Sequence, residues 1–83
     1  MTDRSIWQVS NMKISYKKLW VLLAEKEVSA VTLRKELNIA TGTMTKLRKN
    51  EEVALSVLIR ICGYLQCDIG DICEVVNLKT EGE

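Results

Sequence analysis

The run Thr32 to Leu47, TLRKELNIATGTMTKL, constrains this chain more than any other part of it. Leu33 and Leu37 are four apart, and Met44 and Leu47 are three apart, spacings that set each pair on one face of a helix. Only Asn38, Ile39 and Ala40 lie between the two pairs, which leaves no room for a loop. Asn is one of the few residues that tolerates the left-handed backbone of a sharp helix exit. Ile39 is then placed to drop its side chain between the two helices. Two short helices held by so tight a turn make a helix-turn-helix, a motif whose second helix can enter the DNA major groove.

Helices are expected on both sides of this motif. Tyr16, Leu19, Trp20, Leu23 and Ala24 follow the amphipathic rule, predicting a first helix over about 16–27 with Ser15 as its cap and Trp20 in the core. Ser29 caps the second helix, Leu33 and Leu37 face inward, and Val31 falls on the solvent side. The third helix runs from about Thr41 to Arg48, with Met44 and Leu47 inward. Leu58, Ile61, Cys62 and Leu65 define a fourth over about 55–66, and Asp68 with Asp71 forms a capping box for a short fifth. The expected fold is thus all-α, with five helices.

The order and spacing of these elements over about residues 12–76 resemble the Cro/C1-type helix-turn-helix transcriptional regulators, in particular their small single-domain members. In that family a leucine of the first helix, a small turn residue, an aliphatic after it and two apolar residues of the second helix recur at these spacings, and Leu33, Leu37, Asn38, Ile39, Met44 and Leu47 fill those places here. The chain departs from the family at three points. Ala40 and Ala54 occupy positions where a capping hydroxyl is usual, so that Thr41 is expected to serve as a substitute cap, and Arg34 replaces a small residue at a helix crossing. The resemblance implies a lambda-repressor-like DNA-binding domain over 13–76, preceded by an extension over 1–12 and followed by a polar tail over 77–83.

By the same resemblance, Thr41, Gly42, Thr45 and Lys46 are the positions that touch base edges. Threonine can meet a base or the thymine methyl, and lysine can reach guanine acceptors. Arg48, Lys49 and Asn50, at the exit of the helix, suit phosphate contacts, and Ser29 and Thr43 join them in that role.

Charge supports the orientation. The net charge is only +1, but residues 13–49 hold nine basic and three acidic side chains, while 50–83 hold two basic and seven acidic. Such polarity turns one face toward phosphate. There is no histidine, and Cys62, Cys67 and Cys73 form no CxxC pair, so no metal site, cofactor or catalytic site is expected. Nor is a small-molecule ligand. No apolar run approaches the roughly 18 residues of a membrane span, and residues 1–12 lack a signal-peptide core, which gives a cytoplasmic setting as the expectation, and the resemblance implies a bacterial one.

Together these features point to a sequence-specific binder of double-stranded DNA, a repressor acting as a homodimer. The surplus apolar residues Ile72, Val75 and Val76, with Ile6, Trp7 and Val9, mark the termini as the expected dimer surface. The alternative is a protein-interaction module, or an antitoxin-like adaptor, on the same fold.

Overall fold

The computed structural model describes residues 8–78. A single turn of 3-10 helix over Val9–Asn11 leads into strand β1, Met12–Ser15. Four helices follow: α1 over Lys17–Glu25, α2 over Ala30–Leu37, α3 over Thr41–Arg48 and α4 over Leu55–Leu65. A second 3-10 turn, Ile69–Asp71, precedes strand β2, Glu74–Asn77. The strands pair antiparallel, with Met12 opposite Asn77 and Ser15 opposite Glu74.

The expected fifth helix is therefore a correction. Its capping box forms as read, with the Ile69 N–H donating to Asp68 Oδ1 (2.7 Å) and the Asp68 N–H to Asp71 Oδ2 (2.9 Å). Only one turn follows, because β1 offers a row of backbone donors and acceptors beside the chain. Val75 and Val76, β-branched and stiff, suit a pleated ladder better than a helix. Ile72 is fully buried in the core, so it is not part of any outer surface. Asn77, placed in the tail by sequence, is the last paired residue of β2 and is buried. Ile6 and Trp7 lie outside the described residues.

Each long helix ends on a short non-glycine departure from right-handed backbone. Glu27, Asn38, Asn50 and Gln66 all have φ between 52° and 58°, following α1, α2, α3 and α4 in turn. At Asn38 (φ 52°, ψ 47°) the turn expected from the sequence is present. The Ile39 N–H returns to the Arg34 carbonyl at 2.9 Å, joining the Asn38 N–H there and closing the helix end. The first helix is shorter at both ends than its apolar stripe suggested. Tyr16 is its N-cap residue, and Ser15 lies in β1, but the Ser15 Oγ still accepts from the Lys17 N–H at the helix start at 3.3 Å, the capping role expected of it.

Inward side chains from all four helices and from the segments joining them meet in one core: Tyr16, Leu19, Leu23, Leu33, Ile39, Met44, Leu47, Leu58, Ile61, Leu65, Ile72 and Cys73. Tyr16 also ties the core to the segment between α3 and α4. Its hydroxyl donates to the Glu51 carbonyl and its N–H to Asn50 Oδ1, each at 2.9 Å.

Two predictions follow from local chemistry. Ala40 and Ala54 sit at the N-cap positions of α3 and α4 with no capping side chain, so Thr41 is the first helical residue and not the substitute cap expected for it. The Thr43 and Val57 N–H groups turn instead to the Ala40 and Ala54 carbonyls at 3.1 and 3.0 Å. Ala54→Ser should stabilise the domain by about 0.5–2 kcal/mol, read as a higher Tm. An unchanged Tm would mean that these tight first turns already satisfy the helix start.

The second concerns alkali. Burial pushes the Cys62 thiol up to about 11 from its ordinary 9.0, with the neighbouring Cys67 adding to the rise. Burial likewise raises the Tyr16 phenol above 10.0 and the Cys73 thiol above 9.0. Each group holds its proton longer folded than unfolded. Their contribution is complete below the unfolded pKa and is lost as pH rises through the folded one. Tm should therefore fall from about pH 9 upward, and Cys62→Ala should flatten that fall.

Candidate nucleic-acid interface

The polar face of α3 follows from its apolar one. Met44 and Leu47 are buried, which fixes the rotation of the helix about its axis. Thr41, Gly42, Thr45 and Lys46 are then left exposed on the opposite side, and Arg48 and Lys49 are exposed at its C-terminal end. Thr43 and Asn50 are half-buried. The structure thus gathers the four residues named as base readers on one open surface.

Several of these side chains already have work within the domain. The Thr45 hydroxyl donates to the Thr41 carbonyl at 3.1 Å, a bond back to the preceding turn. That leaves Thr45 presenting its methyl group and its oxygen lone pairs. Asn50 Oδ1 accepts from the Tyr16 N–H, so this side chain braces the segment after α3. Ser29 caps α2, its Oγ accepting from the Thr32 N–H at 3.0 Å and donating to Thr32 Oγ1 at 2.9 Å. The Ser29 proton is spent, and the Thr32 hydroxyl becomes the donor at this helix end. Thr32 was missed by sequence reasoning, although its place three residues after the cap could have signalled it.

Arg48 is held as well. Its guanidinium carbon stands 5.5 Å from the centroid of the Trp20 ring. A cation over an indole face at that distance is stabilised by roughly 0.5–1 kcal/mol at an exposed site. Trp20 was expected in the core; it is half-buried, packing partly on the core while its ring serves Arg48. The spacing of the first helix identifies its inward stripe but not that its rim residue lies under a side chain 28 positions away.

Neither α2 nor α3 has an acidic residue in its first turn, so the positive ends of both helix dipoles are unneutralised. Lys46 and Arg48 lie in the last turn of α3. A separate groove of about 580 Å³ runs between α1 and the end of α4, lined by Lys17, Lys18, Glu25, Lys26, Asp71 and Glu74 among others. Its lining mixes lysines with carboxylates, and none of its lining residues comes from α2 or α3.

A buried-face helix pair joined by a left-handed asparagine, with an open polar second helix, defines a helix-turn-helix domain. Residues 18–77 match the Cro/C1-type HTH DNA-binding domain, and the chain belongs to that family. It is also similar to the crystal structure of the transcriptional regulator VanUg, with a TM-score of 0.79 and 45% sequence identity over 81% of this chain and 89% of that one. No curated protein matches the chain.

Gly42 provides the sharpest test of the surface. A Cβ built there meets nothing within 4 Å, so the fold itself does not require glycine. Gly42→Ala should stabilise the helix by up to roughly 1 kcal/mol. If the backbone of α3 approaches base edges at this point, the same change lowers DNA affinity while Tm rises. A rise in Tm with unchanged affinity would remove Gly42 from the contact surface.

Proposed function

We propose that this chain is a sequence-specific regulator of transcription that binds double-stranded DNA through α3, most simply as a repressor occupying an operator in the cytoplasm. The observation that supports this best is the concurrence of the family match with an exposed α3 face whose inward side is fully used in the core. Thr41, Gly42, Thr45 and Lys46 read base edges. The Thr45 methyl suits a thymine methyl, and the Lys46 ammonium suits guanine acceptors. Arg48 and Lys49, with the Thr32 hydroxyl and the α2 N-terminus, hold phosphate, and Ser29, Thr43 and Asn50 contribute there by orienting their neighbours or through contacts of their own. Two copies bind two half-sites about one helical turn apart.

The experiment is retardation of duplex selected from a random pool, titrated with salt. Affinity should fall steeply as salt rises, and Lys49→Ala should reduce the slope by roughly one while weakening all sequences alike. Lys46→Ala should instead relax preference at one base pair, by roughly 1–3 kcal/mol. An unselective pool with no retardation at low salt would reject the reading and favour a protein partner on the same fold.

A further inference from the structure

Helix α4 uses one face for the core, through Leu58, Ile61 and Leu65, and leaves a second apolar row without a role in the fold. Leu55 and Ile59, one turn apart, are 62% and 56% exposed. Along the same row comes Gly63, above which there is open space where a side chain would stand. The exposed aliphatics of the other helices, Val21 on α1 and Val31 on α2, stand singly. The charges flanking the row are opposite in sign at its two ends. Glu51 and Glu52 are exposed just before α4, and Arg60 is exposed just after Ile59. Among the described residues neither acid nor the arginine makes an ion pair.

We propose that this row is an isologous interface with a second copy of the chain, the two α4 helices crossing antiparallel about a two-fold axis midway between Leu55 and Ile59. Symmetry then sets Leu55 of each copy on Ile59 of the other, so four aliphatic side chains leave water together. Arg60 comes opposite the partner's helix start and within reach of the carboxylates just before it. The acidic end of each row thus meets the basic end of the other, which is the charge complementarity a self-pairing surface needs. The open space at Gly63 lets the partner's segment ahead of α4 pass close to the helix. Of the residues expected to pair at the termini, Ile72 is consumed by the core and Val76 is half-buried in the sheet, while Val9 and Val75 are exposed but carry no flanking charges of opposite sign comparable to those of the α4 row. The inference rests on the reading of a paired DNA binder for its purpose, and it names the surface that forms the pair.

Sedimentation of the full chain without DNA tests it. At micromolar concentration the unmodified chain should sediment as a dimer, and the double variant Leu55→Glu, Ile59→Glu should be a monomer with unchanged circular dichroism. Both positions are exposed, so the domain keeps its fold. Arg60→Glu should weaken the dimer several-fold, and adding Glu51→Arg and Glu52→Arg should restore it, a rescue that general loss of stability cannot produce. A monomeric unmodified chain, or a double variant as dimeric as the parent, would overturn the proposal. So would dissociation by Val75→Glu with no effect of the α4 changes. Because no DNA is present, failure of the DNA-binding reading leaves these outcomes untouched. Conversely, retardation of duplex by a monomeric parent would keep that reading and reject this interface.

Discussion

The angle between α2 and α3 is what the rest of this structure depends on, and two adjacent residues fix it. Asn38 takes the left-handed backbone that ends α2, and Ile39 is then buried between the helices, with 3% of its surface exposed. On either side Leu33 and Leu47 are fully enclosed. A backbone reversal in one residue leaves no slack, and a buried aliphatic immediately after it allows one packing direction. Once α3 is seated by Met44 and Leu47, its polar side has only solvent to face. The open polar surface of α3 is thus a consequence of core packing, not of any preference of the threonines themselves.

The side chains around that surface show how a small domain gains rigidity. Ser29 caps α2, Asn50 and Tyr16 brace the segment after α3, Thr45 bonds back to Thr41, and Trp20 carries Arg48. Each contact stabilises by roughly 0.5–2 kcal/mol. Their common effect is that polar groups near the interface are oriented before any partner arrives, which lowers the entropy lost on binding. The cost is that Ser29 and Asn50 are less free to contact phosphate than their polar character suggests. Residues next to them, such as Thr32, take over the open hydrogen-bonding capacity.

Much of the four-helix frame was legible in the sequence, because helical apolar spacing reports directly which residues face inward. The starts of α3 and α4, the Ser29 cap, the Asn38 turn and the Asp68–Asp71 box all rest on local rules that tertiary packing did not override. The two-stranded sheet was not legible. Met12–Ser15 and Glu74–Asn77 are four residues each and lie at opposite ends of the domain, so neither run shows its partner. Ile69, Ile72, Val75 and Val76 fit a helical spacing as well as they fit a turn followed by a strand. The choice between them came from a ladder that only the folded chain supplies. Contacts such as Trp20 with Arg48, or Tyr16 with Asn50, are equally invisible to periodicity, since they join helix rims distant in sequence.

On the proposed function, one continuous surface, the outer face of α3 with the start of α2, meets DNA. Its most direct test is the map of backbone amide shifts as a selected duplex is titrated into labelled protein. The changes should concentrate at 29–32 and 41–49 and leave β2 and the groove beside α1 nearly unmoved. Changes centred on that groove or on the sheet, with α3 silent, would contradict the account.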